Sequence, residues 1–527
     1  MSPQDPSRST TRRVSRALLS VSDKTGLVDF GRGLHELGVE LVASGGTASA
    51  LRDAGLPVVD VAELTGSPEM LGGRVKTLHP HIHGGILARR DLASDREDLE
   101  AHSIGTIDLV VVNLYAFEES VARDGVSFEE AIEKIDIGGP SMLRSSAKNH
   151  AYVGVVCDPA DYDPVLAELR SSGGLEDETR RGLALRAFQR TAAYDAAIET
   201  WLAAQQAEGR DDPFPARLSV SLRKVATLRY GENPHQRAAL YGGFLDAVEP
   251  LHGKALSYNN LVDVQAALAL ILDFDPAEGS AVGILKHTTP CGVGAGASPL
   301  EAYTNAFQTD PESPFGGIVV SNAPFDRALA EKVDEIFTEV LVAPSFTEDA
   351  LDLLRKKKNR RLLAFDAAAI ERAELEWRRV YGGVLLQEPD CQVEELATAQ
   401  VVTQRKPTEV ERRALQFGWR VVKHVKSNAV VFAAEDRTLA IGGGATSRVD
   451  AGPAAAAKAG RVGLSLEGSG LASDAFFPFP DGLEIAVRAG ARAVVQPGGS
   501  NRDAEVTEAA DRLGIAMILT GIRHFRH

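Results

Sequence analysis

A lysine–histidine pair at the end of an apolar segment offers side chains of the right type for acid–base chemistry. Lys286 and His287 follow the apolar run VGIL and precede a turn through Pro290 and Gly292. A histidine at a strand end can transfer a proton near neutral pH, and a neighbouring lysine stabilises developing negative charge. Cys291 has no identified activating partner, so we expect it to be a small buried residue. The segment predicts a catalytic turn.

Hydroxyl, glycine and lysine residues follow two apolar segments near the N-terminus. Glycine lets backbone N–H groups approach an anion, a helix N-terminus adds partial positive charge, and hydroxyls donate hydrogen bonds. One such loop more often only caps a helix. Two loops after successive strands favour a phosphate site, and its candidate residues are Ser20, Ser22 and Lys24, with Ser44, Gly45, Gly46 and Thr47.

The loop GGRVKTLHPHIHGG combines cations, a hydroxyl and histidines that alternate over residues 79–83. Alternation would place the imidazoles on one side of a strand, which suits a metal ion. The cations Arg74 and Lys76 would repel a metal, and Pro80 interrupts a strand. Binding of phosphate or substrate by Arg74, Lys76 and Thr77 is the favoured interpretation, and we expect no catalytic metal.

Three further segments concentrate polar or aromatic residues. In IDIGGPSMLRSSAKNH, Asp136 and Lys148 either exchange protons near an anion or form an ordinary surface pair, and the residues alone leave both open. RYGENPHQ, residues 229–236, is denser in functional groups than a surface loop needs. AFFPFPD, residues 475–481, forms either an apolar slot for a flat heterocycle or part of a core.

Alternating strand and helix patterns must position these residues. Apolar runs at 17–22, 39–44, 107–115 and 152–157, with helical periodicity between the first two, predict a doubly wound α/β domain with a parallel sheet. A long helical pattern over 176–207 precedes a Gly- and Pro-containing linker, which places a boundary near Pro213. Beyond it, Lys286-His287 and Lys423-His424 each follow an apolar run that we predict to be a strand, which indicates duplicated halves.

Composition excludes several classes of protein. The 527 residues are too many for one small module, and a hydrophobic share of 44% supplies more than one core. A net charge of −16 disfavours nucleic acid and anionic membranes as partners, and no apolar run reaches the roughly 18 residues that span a bilayer. The three cysteines lie far apart, as in a reducing cytoplasm, and the polar start predicts a disordered leader over residues 1–15.

Taken in order, the motifs closely resemble one family. SVSDKTGL, ASGGT, GGRVKTLHP, NLY, IDIGG, AKNH, RYGENPHQ, KHTTPCG, FGG, KSNAVV, SDAFFPF and RHFRH cover nearly the whole chain. They resemble the bifunctional purine biosynthesis enzymes that join 5-aminoimidazole-4-carboxamide ribonucleotide (AICAR) formyltransferase to inosine monophosphate (IMP) cyclohydrolase. Such enzymes formylate AICAR with 10-formyltetrahydrofolate as co-substrate and close the product, FAICAR, to IMP.

The resemblance implies a domain organisation and partners. Residues 16–213 would form a cyclohydrolase domain similar to methylglyoxal synthase, and residues 214–527 a formyltransferase of two cytidine-deaminase-like halves. It also implies a cytoplasmic homodimer with the formyltransferase sites at its interface, acting on AICAR and FAICAR.

The resemblance also assigns roles. In the cyclohydrolase, the two N-terminal loops would surround phosphate and ribose, and the residues around the base would be Arg74, Lys76, Thr77, Asn113, Tyr115, Asp136 and Lys148. Lys76, Tyr115, Asp136 and Lys148 are the candidates for proton movement.

In the formyltransferase, His287 would assist removal of the amine proton, Lys286 would serve the leaving group, and Asn428 would steady the tetrahedral centre. Arg229, Tyr230 and Arg523 resemble nucleotide contacts. The folate-side residues would be Phe315, Arg448, Phe477, Pro478, Phe479 and Asp481. Pro480 departs from the arginine often found at its position in the family.

Two other functions are compatible with parts of the sequence. The first domain resembles modules that only sense phosphorylated metabolites, although Lys76, Asp136 and Lys148 beside the phosphate loop favour catalysis. Each expected half of residues 214–527 resembles zinc-dependent deaminases, but the sequence lacks the paired cysteines that bind zinc in such enzymes.

Overall fold

The computed structural model describes residues 11–115, 117–123, 125–207, 212–370, 372, 375–393 and 395–527. The chain divides into two compact units between Ser221 and Leu222, slightly beyond the boundary expected near Pro213. Residues 1–10 of the expected leader lie outside the described residues. Arg12 and Leu175 exchange backbone hydrogen bonds of 2.8 Å in both directions, so the chain is ordered earlier than predicted.

The first unit is a parallel sheet covered by helices. Its strands are β1 (Arg16–Val21), β2 (Glu40–Ala43), β3 (Val58–Asp60), β4 (Leu109–Asn113) and β5 (Gly154–Val156), in the spatial order β3-β2-β1-β4-β5. Its helices are α1 (Leu27–Glu36), α2 (Gly45–Asp53), α3 (Val61–Thr65), α4 (Pro80–Leu87), α5 (Ala93–Ala101), α6 (Phe117–Val121), α7 (Phe128–Glu133), α8 (Gly138–Lys148), α9 (Tyr162–Ser172) and α10 (Asp177–Ala207).

Apolar strands buried on both faces explain this arrangement. Leu18 and Leu19 of β1 point to opposite faces of the sheet, and both are fully buried. On one face Phe30 of α1 stacks on Tyr162 of α9, with ring centroids 4.3 Å apart. All four strand pairings are parallel, which confirms the predicted doubly wound domain.

The second unit alternates strands and helices around two mixed sheets. Its strands are β6 (Lys224–Leu228), β7 (Ala238–Tyr241), β8 (Val248–His252), β9 (Ser280–Lys286), β10 (Thr289–Gly296), β11 (Ile318–Ser321), β12 (Val340–Ala343), β13 (Arg361–Phe365), β14 (Glu376–Val380), β15 (Gly383–Gln387), β16 (Gln400–Val401), β17 (Val430–Ala433), β18 (Thr438–Gly442), β19 (Gly470–Ser473), β20 (Ala493–Gln496) and β21 (Ala516–Leu519). Its helices are α11 (Phe244–Ala247), α12 (Tyr258–Ile271), α13 (Pro299–Thr309), α14 (Arg327–Asp334), α15 (Glu348–Leu354), α16 (Glu409–Val422), α17 (Arg448–Arg461), α18 (Pro480–Ala489) and α19 (Asp503–Arg512).

The two large sheets repeat one topology. One has the order β10-β9-β11-β12-β13-β8 and the other, read in the same direction, β18-β17-β19-β20-β21-β16. Each pair of neighbouring strands in one sheet has the same relative orientation, antiparallel or parallel, as the pair at the same position in the other sheet. The predicted duplication is therefore confirmed. The remaining strands form two hairpins, β6–β7 and β14–β15.

The sequence hint that suggested the duplication was nevertheless wrong. Lys286 ends strand β9, whereas Lys423 and His424 follow helix α16, before β17 begins. The capping box of Thr408 and Glu411 starts a helix there, and α16 buries a face that includes Trp419 and Val422. An apolar run without turn residues does not distinguish a buried strand from a buried helix face.

Candidate functional site

The carboxyl ends of β1 and β4 form the centre of the candidate site in the first unit. The chain runs from β1 to β2 and β3 on one side and returns to β4 on the other, so the strand order reverses between β1 and β4. Ligands of open α/β sheets bind in the crevice that opens at such a reversal. Ser20 pairs with Val112 and Val21 with Asn113 across it. The topology thus places the loop of Ser20, Ser22 and Lys24, which was predicted to bind phosphate, at this crevice.

Two side chains brace the loops of the crevice. Thr47 Oγ1 accepts the N–H of Val21 at 3.0 Å and donates to the Val21 carbonyl at 3.1 Å, which ties the start of α2 to β1. Asn113 Oδ1 accepts the N–H groups of Ser22 at 2.6 Å and Asp23 at 3.0 Å. These hydrogen bonds hold the loop before Lys24 in place. Asn113, expected near the base, therefore also positions the phosphate loop.

Two ammonium groups converge on the N-terminus of α2. Lys24 Nζ lies 3.6 Å from the position that a Cβ on Gly46 would take, and Lys76 Nζ lies 3.6 Å from that on Gly45. Ser44 is the N-cap residue, and its side chain makes no cap hydrogen bond. The first N–H groups of a helix lack intrahelical acceptors and carry partial positive charge. The arrangement suits an anion of phosphate size.

The cations of the next loop have carboxylate partners at the surface. Lys76 Nζ lies 2.9 Å from Glu69 Oε1, and Arg74 pairs with Glu133. Exposed ion pairs contribute little free energy. An anionic substrate can therefore replace either carboxylate at small cost.

Asp136 adjoins the N-terminus of α8. Its Oδ1 accepts the N–H of Gly139 at 2.9 Å. Burial raises the pKa of the Asp136 carboxyl, and hydrogen bonds from the backbone of Gly139, Tyr115 and Gly138 oppose that rise. A Cβ on Gly138 would lie 2.8 Å from Thr77 Oγ1, so the glycine lets that hydroxyl approach. Asp136, Thr77 and Tyr115 thus lie in one neighbourhood.

The fold of the chain does not bring Lys148 close to Asp136, Thr77 and Tyr115. It ends α8, a helix of 11 residues that begins beside Asp136, so a rise of about 1.5 Å per residue separates the two by most of the helix length. Lys148 instead lines a cleft of about 670 Å³ with Arg144, Arg181 and Phe188. The two residues that the sequence grouped together therefore occupy opposite ends of one helix.

The alternating histidines do not lie on a strand. His79 is the N-cap of α4, with Nδ1 accepting the N–H of His81 at 3.1 Å, and His83 lies within the helix. Residues two apart on a helix do not share a face. Among the residues that the structure describes, no group of His, Cys, Asp and Glu side chains has the arrangement of a metal site.

A cavity of about 700 Å³ forms the candidate site of the second unit. It lies between α12, the β6–β7 hairpin, the turn after β9, and the C-terminal residues. Residues that line it include Tyr258, Asp263, His287, Lys426 and Arg526. His287 is thus brought to a cavity large enough for a nucleotide.

The turn after β9 holds Lys286 and His287 in different ways. Lys286 Nζ donates to the carbonyl of Phe315 at 3.0 Å. His287 and Thr288 both have a left-handed backbone, with φ of 53° and 64°. Few residues other than glycine adopt this conformation, and clusters of it mark functional sites.

Asn428 has a fixed orientation. Its Nδ2 donates to the carbonyl of Ala445 at 3.0 Å, and its Oδ1 accepts from Arg448 Nη2 at 2.9 Å. Arg448 is buried and also pairs with Asp474. Its guanidinium thus holds Asn428 in place, and its assignment to the folate side stays a prediction.

The predicted folate segment is partly core. Phe477 is 2% exposed and packs in a hydrophobic core cluster of the second unit, and its assignment to the folate side stays a prediction. Phe479 is 47% exposed, with the Arg502 guanidinium 4.6 Å from its ring centroid. Phe315 is 64% exposed. Pro478 is half-buried and Asp481 is exposed in the first turn of α18.

The predicted nucleotide contacts of the second unit stack on neighbouring rings. The Arg229 guanidinium lies 5.4 Å from the Tyr230 ring centroid, in the loop between β6 and β7, and the Arg523 guanidinium lies 4.3 Å from the ring of Phe525. The neighbouring Leu228 and Glu232 line the cavity. The hairpin loop thus lies beside the cavity, and the nucleotide contacts of Arg229, Tyr230 and Arg523 stay predictions.

Sequence reasoning missed a buried ionic cluster behind this site. Lys423 Nζ lies 2.9 Å, and His424 Nε2 2.6 Å, from Asp273 Oδ2 at the end of α12. Arg526 Nη1 lies 3.2 Å from His424 Nδ1. The N–H of Ser427 donates to the Arg526 carbonyl at 2.9 Å. The cluster therefore anchors the C-terminal residues against the loop before Asn428. Its sequence signal was the second Lys-His pair.

Comparisons with known proteins find relatives that match nearly the whole chain. The family model of the AICARFT/IMPCHase bienzyme matches residues 146–458, and that of the MGS-like domain matches residues 26–141. The "Bifunctional purine biosynthesis protein PurH" of Chloroflexus aurantiacus is 54% identical over 98% of this chain and 99% of its own length. The proteins of the same name from Anaeromyxobacter dehalogenans and Myxococcus xanthus are 52% and 53% identical, each over 97% of this chain. These similarities favour the two-step enzyme over a metabolite sensor or a deaminase.

The structure also bears on membrane association. Within the ranges that it describes, no helix is both long and apolar enough to span a bilayer.

Proposed function

Because the chain belongs to the family of AICARFT/IMPCHase bienzymes, we propose that its two chemical steps take place in separate units. The enzyme formylates AICAR and cyclises the product to IMP. We assign cyclisation to the crevice between β1 and β4, and formyl transfer to the cavity beside His287. The convergence of Lys24 and Lys76 on α2 in one unit, and a second cavity around His287 in the other, carries this proposal.

In the first unit, phosphate would bind the N-terminus of α2 between Lys24 and Lys76, with Ser20, Ser22 and Ser44 to Thr47 around phosphate and ribose. The carboxamide nitrogen then attacks the formyl carbon of the same molecule. Holding these atoms in contact supplies much of the acceleration. The oxygen of the attacked carbon gains negative charge, which Lys76 and the N-terminus of α8 stabilise.

Proton movement and water loss complete the ring closure. The raised pKa of the Asp136 carboxyl, caused by its burial, favours its role as a group that takes and returns a proton. Tyr115 lies beside it, and Arg74, Thr77 and Asn113 complete the surroundings of the base. Lys148 keeps its assignment through the AKNH motif alone, since it lies at the other end of α8.

In the second unit, His287 would accept the proton that the AICAR amine loses as it attacks the formyl group. Lys286 would assist protonation of the departing nitrogen, and Asn428, fixed by Arg448, would donate to the tetrahedral oxyanion. Arg229, Tyr230 and Arg523 would hold the nucleotide. Phe315, Pro478, Phe479 and Asp481 would lie on the donor side.

The formyl donor is a folate, and we propose 10-formyltetrahydrofolate. Exposed apolar residues on the β14–β15 hairpin, among them Trp377 and Leu385, support a homodimer of this chain. We place the enzyme in the cytoplasm, which agrees with its unpaired cysteines.

Separating the two steps tests the assignment. We expect His287→Ala to lower formyl transfer by about 10²–10⁴-fold, the usual contribution of a general base, while supplied FAICAR is cyclised at the normal rate. Lys76→Ala should lower cyclisation by about 10²-fold and spare formyl transfer. The rates are measured by following AICAR formylation and IMP formation separately. Loss of both steps in both variants, each still folded, would contradict the assignment of separate sites.

A further inference from the structure

The left-handed turn at His287 and Thr288 needs support from outside its own segment. Both residues carry a Cβ, and two consecutive residues with positive φ persist only where the surroundings enforce them. Within the turn, the Thr288 hydroxyl donates to the carbonyl of His287 at 2.6 Å. That contact joins neighbours in the chain and does not hold the turn in relation to the cavity.

Asp263 supplies a hydrogen bond from another element. Its Oδ1 accepts the N–H of Thr288 at 2.7 Å. It lies on α12, which begins with a reciprocal capping box of Ser257 and Asn260 and buries Val264 and Ala267 in the core. The helix is therefore a rigid base from which the carboxylate reaches the turn.

The charges around Asp263 suit this contact. Burial is the largest effect and raises the pKa of the Asp263 carboxyl, whereas the N–H of Thr288 and the charges of His287 and Lys426 lower it and Glu339 raises it. The carboxylate thus faces two cationic or basic groups of the cavity.

We propose that Asp263 is the residue that positions His287 for formyl transfer. By accepting the N–H of Thr288, it fixes the left-handed turn and with it the direction in which the imidazole enters the cavity. Its action is on the backbone, so an uncharged acceptor at the same place serves as well as a carboxylate. The inference rests on the proposed role of His287.

Substitutions of Asp263 should therefore test its hydrogen bond to Thr288 and not its charge. Asp263→Asn keeps an oxygen in place of Oδ1, whereas Asp263→Ala removes the acceptor. We expect D263A to lower kcat of formyl transfer by about tenfold to a hundredfold, because a displaced catalytic group costs this much, with KM for AICAR changed less than about threefold. D263N should retain kcat within about threefold.

A matched control removes an equivalent contact elsewhere. Asp326 Oδ1 accepts the N–H of Leu329 at 2.8 Å at the start of α14, and Asp326 does not line the cavity. D326A should lower the melting temperature but leave kcat of formyl transfer unchanged. Cyclisation of supplied FAICAR should be unchanged in all these variants.

The measurements separate failure of this inference from failure of the proposed function. If H287A loses formyl transfer but D263A retains kcat within twofold, Asp263 does not position His287. Loss in D263N equal to that in H287A also overturns the inference, and this near-isosteric variant decides the question even if D263A does not fold. If H287A itself retains formyl transfer, the proposed role of His287 fails.

Discussion

The two sites of this molecule are built from different parts of the chain. In the first unit, the site consists largely of loops that directly follow β1 and β2 and of the N-termini of α2 and α8. In the second unit, the site consists of side chains whose positions depend on distant partners, such as Asn428 on Arg448 and Arg526 on His424. A site built on the backbone keeps its shape after most single substitutions, whereas the shape of a site that depends on buried charges is sensitive to the loss of any partner.

Asp273→Ala tests how far the second site depends on buried charge, and we expect it to have the largest effect on stability. Its carboxylate is completely buried and faces Lys423 and His424. Removing one member of a buried ionic cluster leaves uncompensated charge, so we expect the free energy of unfolding of the second unit to fall by about 3–5 kcal/mol. Urea denaturation followed by tryptophan fluorescence, to which the buried Trp419 of this unit contributes, measures the change.

An exposed ion pair of the first unit provides the control. Arg32 Nη1 lies 3.2 Å from Asp29 Oδ1, and Asp29 is 87% exposed. Asp29→Ala should change the stability of that unit by less than about 1 kcal/mol, because surface pairs contribute little. Equal losses of unfolding free energy in the two variants would show that the buried cluster contributes no more to stability than an exposed ion pair.

A second, smaller effect concerns pH. Burial, together with the charges of Arg526 and Lys423, lowers the pKa of His424 to about 4, although Asp273 opposes this shift. An unfolded chain protonates the same residue near its usual value of about 6.5, so between these values the unfolded state binds more protons. The stability of the second unit should therefore fall as pH falls through this range, by about 3 kcal/mol in total.

Thermal melting between pH 7 and pH 4 measures this dependence, and His424→Asn should flatten it. Burial raises the pKa of Asp273, but its hydrogen bonds with His424 and Lys423 and the charge of Lys423 lower it by more than burial raises it. Protonation of Asp273 therefore removes further stability only below its ordinary range. A wild-type profile that is flat from pH 6.5 to pH 4 would contradict the neutral, buried state of His424.

The same contrast explains which parts of the molecule could be predicted from sequence. Ser44 to Thr47 could be placed because a glycine-containing loop after an apolar strand has one common position in a parallel sheet. The pairing of Asp273 with His424 could not, because the two residues are 151 positions apart and neither segment carries a signal for the other. Phe477 and Arg448 carried the family motif, but the motif did not reveal that both are buried or that Arg448 pairs with Asp474.

The smallest effect is expected from Ser44→Ala in the backbone-built site. N-cap serines usually stabilise a protein by about 1 kcal/mol through a hydrogen bond to the helix, but the Ser44 side chain makes none. We therefore expect S44A to leave the free energy of unfolding nearly unchanged and to raise KM for FAICAR by about tenfold, the effect of one lost hydrogen bond to a charged ligand.

Ser127→Ala is the matched control for this prediction. Ser127 accepts the N–H of Glu130 at 3.1 Å in a capping box at α7. Its loss should cost about 1 kcal/mol of stability and leave KM for FAICAR unchanged. Both substitutions remove a serine hydroxyl from a helix N-cap. A change in KM alone for S44A and in stability alone for S127A would show that Ser44 serves ligand binding and Ser127 serves the stability of the fold. A loss of stability in S44A with unchanged KM would mean that the first site owes its anion affinity to Lys24, Lys76 and the backbone alone.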